Sequence, residues 1–455
     1  MAEQFEHFIR TLSHAVWGLP LVVALVGTSI YFSCRLKFVQ LRLLKSAMEY
    51  LLGKRENESG QTLGDISHFA SLCTALSATI GTGNIVGVAL AMVAGGPGAL
   101  FWMWIAAFFG MAVKYAEGFL AVKYRQVGED KKIAGGPMYY IEMGLGSKIL
   151  AKLFAFFGVL TALLGIGTWT QANAIAAAVN SFGIPNWFTA MALAFSVAAV
   201  TVGGIHRIAY VSEKIVPFMS IFYIGAAILV LIIKLQMIPQ ALRSIVIGAF
   251  SPEAVLGGGA GVSMMLAVQL GISRGIFSHE SGLGSAAIAA AAARTNSPAK
   301  QGLVAMLGAF FSTIICTMTG LVLVVTAAET GVFTSRCAVG GALLTSHAFG
   351  VGLGMTAAGQ HIVNIGILFF AFTTIIGWNY YGEKCVQYLW GDGAIRSYNL
   401  LFLLFVIIGP FYKIDVIFTV ADVVIGLMAI PNLVGLVGLR KVIIDGTRSF
   451  MRTRK

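Results

Sequence analysis

Eleven stretches of this chain are apolar over lengths that can cross a lipid bilayer, at approximately 15–34, 68–94, 97–122, 150–179, 186–204, 213–235, 258–293, 300–328, 360–388, 395–412 and 415–439. A helix needs ~20 apolar residues to cross a hydrocarbon core ~30 Å thick. Inside that core every backbone N–H and C=O must be bonded internally, which leaves packed helices or a closed barrel, and runs of this length select helices. The residue balance agrees: 58% of the 455 residues are hydrophobic and only 11% charged, against roughly 25% charged in soluble domains. A soluble enzyme, a disordered chain and a secreted disulfide scaffold are excluded. The expected fold class is an all-α polytopic membrane protein with about eleven transmembrane helices.

Positive charge sorts by loop. Taking alternate loops, 24 of the 31 Lys and Arg fall on one side, including six each in 35–55, 123–152 and 440–455. Five fall on the other side (Arg10, Lys234, Arg243, Arg336 and Lys413), and Lys114 and Arg274 lie within spans. Cytoplasmic loops carry the Lys and Arg excess, so the C-terminus is expected in the cytoplasm and, with an odd span count, the N-terminus outside. The formal net charge of +12 is then explained by topology. It calls for a lipid bilayer, not nucleic acid, as partner. Residues 38–53 read as an amphipathic helix on the membrane surface, and no removable signal peptide stands apart at the N-terminus.

Several activities are ruled against by absence. There is no GxxxxGK[ST] phosphate loop and no soluble domain long enough to hydrolyse ATP. His279-Glu280 begins like a zinc-protease HExxH, but Leu283 stands where the second His belongs. The cysteines Cys34, Cys73, Cys316, Cys337 and Cys385 are scattered without a CxxC pair, so neither a metal cluster nor a disulfide framework is expected. No TVGYG-like filter is present, which counts against a selective channel.

The positive signal is interruption of helices. The second stretch carries Ser77-Ala78-Thr79-Ile80-Gly81-Thr82-Gly83-Asn84, and the seventh carries Leu270 to Gly282, with Gly271, Gly275, Ser273, Ser278 and Ser281 among its residues. Gly weakens a helix by about 1 kcal/mol relative to Ala, and irregular backbone at membrane depth survives only where it lines a cavity or is buried in protein. Two broken spans five apart, in halves forced into opposite orientation, point to an inverted repeat with its ligand at the midplane. Glycine also serves close helix packing in membranes, and that reading stays open. Half-helix N-termini suit a carboxylate, and freed carbonyls suit a hard cation such as sodium. A zwitterionic amino acid carried with sodium is the natural ligand for the pair.

Longer motifs carry a resemblance. Ala78 to Ala89, Gly95-Gly96-Pro97-Gly98-Ala99, Gly135-Gly136-Pro137-Met138-Tyr139-Tyr140, Ser273 to Ser285 and Gly377-Trp378-Asn379-Tyr380-Tyr381-Gly382-Glu383 resemble the sodium:alanine/glycine symporter family over nearly the whole chain. The resemblance implies a leucine-transporter-like fold, a five-plus-five inverted repeat with one extra N-terminal helix and two broken helices. The chain would then divide into 1–60 (extra helix and surface helix), 61–236 (first half), 237–440 (second half) and 441–455 (basic cytoplasmic tail). It further implies sodium as the coupling ion, with no organic cofactor, and alanine or glycine, D-alanine included, as cargo.

On that resemblance the carbonyls of Ser77 and Ile80 and the hydroxyls of Thr373 and Thr374 would hold sodium. Hydroxyls that bond back to their own helix are the alternative for the threonine pair. The substrate would meet Thr79, Gly81, Thr82, Gly83, Asn84, Gln171 and Ser278, with Phe277 and Trp378 as walls of a small pocket. A buried amide such as Gln171 must be paired, by substrate or by a neighbouring helix. Arg274, Glu280 and Asp422 are charges within the bilayer, where an unpaired charge costs several kcal/mol. They are either a structural ion pair or a gate that closes one side of the cavity. Lys114 and Glu117 read as an i,i+3 pair, and Asp65 as an N-cap.

The expected function is a sodium-coupled symporter, not an enzyme, importing a small neutral amino acid by alternating access across the inner (plasma) membrane of a prokaryote. The alternatives are proton coupling through Glu280 or Asp422, and, ranked lower, an amino-acid-gated channel.

Overall fold

A computed structural model describes residues 2–54, 62–128, 133–250, 264–333, 341–412 and 414–453. The chain is almost wholly helical, and among the described residues the only sheet is the hairpin pairing Gln126–Val127 with Ile133–Ala134. Helices of seven or more residues are α1 (Ala2–Val16), α2 (Leu19–Arg35), α3 (Leu44–Leu51), α4 (His68–Thr79), α5 (Val86–Gly95), α6 (Gly98–Lys123) and α7 (Pro137–Leu145). They continue with α8 (Lys148–Leu164), α9 (Trp169–Asn180), α10 (Asn186–Thr201), α11 (Gly204–Ile233), α12 (Ile238–Phe250), α13 (Met264–His279) and α14 (Ser285–Ala291). The last are α15 (Pro298–Val325), α16 (Gly341–Leu353), α17 (Thr356–Trp390), α18 (Ile395–Ile408), α19 (Ile414–Gly438) and α20 (Arg440–Thr453).

Each of the eleven apolar stretches contains helix, apart from 258–263, which lie outside the described residues. By length and composition, seven single spans qualify as membrane-crossing among the described residues, or eight when α4 and α5, bent by 67° at their break, count as one. The apolar α2 and α10 are shorter. Three features depart from the sequence reading. The stretch 150–179 is divided at 165–168 into α8 and α9, where Gly165 and Gly167 lie against the carbonyls of Thr161 and Ala162. Apolar helices α12 and α16 stand where no span was expected. The surface segment 38–53 is a single turn, Val39–Arg42, followed by α3, entered through left-handed backbone at Lys37 and Phe38.

The core is built around α6, which packs against α13, α15 and α2, and around α17, which packs against α8, α9, α11 and α16. Those surroundings are why the two breaks are buried. Ser77 to Ala89 and Gly275 to Ala293 are buried without exception, whereas α10 and α11 leave Phe195, Phe218 and Ile221 exposed, as helices that face lipid do. Ser67, not Asp65, caps α4, its hydroxyl accepting from the Ala70 N–H at 3.0 Å. The Asp65 carboxylate instead accepts from the Ile133 N–H.

Candidate functional site

The first break follows directly from its residues. α4 stops at Thr79, Gly81 is extended, and Thr82–Asn84 form one 3-10 turn before α5 begins at Val86. The freed groups are met by neutral partners. The Gly81 N–H donates to Asn84 Oδ1 at 3.2 Å, and the Thr82 N–H to Gln171 Oε1 at 3.3 Å. The Ile80 carbonyl accepts from Thr374 Oγ1 at 3.3 Å. Gly81 has to be glycine, because a Cβ there would lie 2.6 Å from Thr374 Oγ1.

Thr374 also donates within α17, to Phe370 O at 2.9 Å, and Thr373 bonds back to the carbonyls of Phe369 and Phe370 at 3.0 Å. Ser77 Oγ bonds back to Thr74 O at 2.7 Å. A Cβ on Gly377 would sit 2.8 Å from Ser77 Oγ, so α4 and α17 touch at this level. Of the four expected sodium residues, Ile80 and Thr374 are thus in direct contact across helices, Ser77 stands one turn earlier in α4, and the hydroxyl of Thr373, next to Thr374 in the chain, faces Met219 of α11. A hydroxyl has one proton and two lone pairs, so Thr374 keeps acceptor capacity, and the Ile80 carbonyl has only a long bond. Carbonyl and hydroxyl oxygens of this kind suit a hard cation.

The second break lies later than the glycine and serine pattern suggested. α13 is helical through Ser278 and His279, so the interruption expected within 270–282 falls only at its C-terminal end and beyond, at Glu280–Gly284. Glu280 is left-handed (φ 53°), an uncommon conformation for a non-glycine residue, and Gly282 and Gly284 follow at φ 89° and 81°. Here a charge meets the freed backbone. Glu117 Oε1 accepts from the N–H groups of Gly282 and Gly284 at 3.0 Å each and from Asn432 Nδ2 at 2.8 Å. Asn432 Nδ2 also donates to Gly282 O, while its Oδ1 accepts from Tyr140.

Glu117 therefore serves the break and is not simply half of a helical pair. No Lys114–Glu117 ion pair within 4 Å occurs among the described residues, although the buried Lys114 acts electrostatically on both Glu117 and Glu280. Sequence reasoning missed Glu117 and Asn432 as supports of the second break. The available signal was a carboxylate deep in a span, with too few neighbours of opposite charge.

The two breaks touch. Ser278 Oγ donates to Gly83 O at 3.2 Å, and the Phe277 ring lies against Gly83, whose Cβ would come within 3.1 Å of it. Glu280 Oε2 lies 3.4 Å from Thr79 Oγ1 and accepts from Ser285 Oγ at 2.7 Å. Asn84 Nδ2 donates to Ser312 Oγ at 2.8 Å, and Ser312 Oγ to Ser278 O at 2.7 Å. With Gly81 N–H on its Oδ1, Asn84 has its polar atoms engaged within the protein. Gln171 Nε2 donates to Ile166 O at 3.0 Å. Trp378 is buried, edge-on to Tyr381, with its Nε1 unpartnered among the described residues. Of the expected substrate residues, Gly81, Thr82, Gly83, Asn84, Gln171, Phe277 and Ser278 are therefore joined by direct contacts, while Thr79 and Trp378 meet Glu280.

The expected charged trio divides. Arg274 and Asp422 form a two-pronged ion pair with both N–O distances 2.9 Å, Phe277 stacks under the guanidinium, and Trp17 Nε1 donates to the Asp422 carbonyl at 2.7 Å. Glu280 does not join that pair.

The profile described as "Sodium:alanine symporter family" matches residues 2–455. The chain belongs to this family. Family members are symporters, and the chain is a multi-pass membrane transporter of amino acids, not an enzyme. It is similar to the "Sodium/alanine symporter AgcS" of Methanococcus maripaludis, 46% identical over 99% of this chain and 98% of that protein. It also resembles an "Uncharacterized transporter" of Haemophilus influenzae (50% identical, 99% and 97% covered) and the "Probable sodium/glutamine symporter GlnT" of Bacillus subtilis (36% identical, 100% and 92% covered). Among solved structures, MhsT in complex with L-phenylalanine aligns over 86% of this chain and 98% of its own at a TM-score of 0.60 and 12% identity. That likeness shows the leucine-transporter-like fold of this symporter.

Proposed function

We propose that this symporter imports a small neutral amino acid, alanine or glycine and D-alanine among them, together with sodium by alternating access. The observation that carries the reading is the first break, where the Ile80 carbonyl and the Gly81 and Thr82 N–H groups are met only by neutral side chains at 3.2–3.3 Å. Such long, neutral bonds can be exchanged for ligands at small loss, since a net hydrogen bond is worth about 1 kcal/mol. Ile80 and Thr374, with Ser77 and Thr373 beside them, would hold sodium. The N–H groups of Thr82, once released from Gln171 Oε1, and of Gly83 would receive the substrate carboxylate. Gln171 and Ser278 border it, Thr79 lines it and Asn84 holds the turn in shape. Phe277 and Trp378 would wall a small pocket, which favours alanine over the glutamine in the name of GlnT.

The Arg274–Asp422 pair closes one side, a gate that must part for release. The 24-to-5 division of basic residues supports a cytoplasmic C-terminus in the plasma membrane of a prokaryote. Asp422 is already paired, so proton coupling would have to run through Glu280. The deciding experiment measures binding of alanine, glycine, serine, glutamine and leucine to purified protein in sodium and in potassium at fixed pH. Alanine or glycine binding that requires sodium is expected. Undiminished binding in potassium would reject sodium coupling, and preference for glutamine or leucine would reject the small pocket.

A further inference from the structure

We infer that Glu280 receives the ammonium group of the transported amino acid, and this rests on the reading of the site just given. Glu280 is 1% exposed. Its Oε2 is occupied by Ser285 and touches Thr79, while its Oε1 is buried without a well-formed hydrogen bond among the described residues, the Trp378 indole being the one other donor that bears on the carboxylate. A bare carboxylate oxygen away from water is among the least tolerable groups in a protein interior. The residue is held in left-handed backbone, at φ 53°, and such outliers collect at ligand sites, where the surrounding structure enforces them.

Charge arithmetic points the same way. Arg274 and Asp422 neutralise each other in their own pair. Lys114, Glu117 and Glu280 are all buried and interact electrostatically, one basic group facing two carboxyl groups. Lys114 is not close enough to pair with Glu280, as no N–O distance between them within 4 Å occurs among the described residues. Glu117 is committed to Gly282, Gly284 and Asn432. The uncompensated oxygen is thus on Glu280, whose neighbours include Thr79 and Trp378, two residues of the substrate pocket.

The ligand that fits has a carboxylate for the first break and a cation for the second, which describes an α-amino acid.

The test uses full-length purified protein and sodium-dependent alanine binding. Glu280→Gln keeps the shape and removes the charge. Truncating one partner of a buried charge pair costs enough to expect at least a ~30-fold loss of alanine affinity. In wild-type protein, lactate, which carries a hydroxyl in place of the ammonium, should fail to displace alanine. Glu280→Gln that binds alanine within about threefold of wild type overturns the assignment and leaves the sodium-coupled reading standing. So does lactate that competes as well as alanine in wild type, a result independent of whether the variant folds. Failure of wild-type protein to bind alanine in sodium would instead overturn the underlying reading.

Discussion

The two breaks are alike in outline and opposite in chemistry. At Gly81–Asn84 the backbone is held by amides and a hydroxyl, whereas at Glu280–Gly284 it is clamped by a carboxylate that takes three donors. Charge-assisted bonds are roughly twice as strong as neutral ones, and a buried carboxylate has nowhere better to go. The comparison teaches that interruption alone does not make a ligand site. The second break is a fixed frame that contributes side chains, and the first is the part whose backbone can change partners.

The largest expected effect comes from breaking the frame. Glu117→Ala leaves the buried N–H groups of Gly282 and Gly284 without their acceptor, at a cost of about 1–3 kcal/mol each, and removes a carboxyl group that acts on the buried Lys114. Thermal unfolding in detergent should show a sharply lowered midpoint and little folded protein. A variant as stable as wild type would erase the distinction between the breaks.

Next, Gly81→Ala puts a methyl group 2.6 Å from Thr374 Oγ1, and overpacking of 1–3 kcal/mol should reduce uptake by roughly tenfold or more at normal membrane abundance. Unchanged uptake would mean that the first break is not where ligands sit. The smallest effect is on the ion. Thr374→Val, close in shape, should raise the sodium concentration for half-maximal binding by several-fold, in line with one oxygen ligand worth about 1 kcal/mol. An unchanged sodium dependence would assign Thr374 to helix packing alone.

Much of this was legible beforehand, for identifiable reasons. Bilayer thickness imposes a length on apolar runs, so the stretches around α6, α15 and α17 could be read directly. The first break was visible because Gly81 and Gly83 flank polar residues within a few positions. The second was misplaced because its pivot, Glu280, is not a glycine, and Gly271 and Gly275 serve close approach to α6 inside an intact helix. The division of α8 from α9 was hidden in an apolar run where Gly165 and Gly167 resembled ordinary packing residues. Glu117, Gly282 and Asn432 lie far apart in the chain, and their meeting depends on how α6, α13 and α19 stack, which no local pattern encodes.

Ser312 has a mechanical meaning. Its hydroxyl is a rivet, receiving from Asn84 and giving to the carbonyl of Ser278, so neither interrupted rod can slide without dragging the other or shearing that joint. On the function proposed above, cargo that tightened one rod would set the other as well.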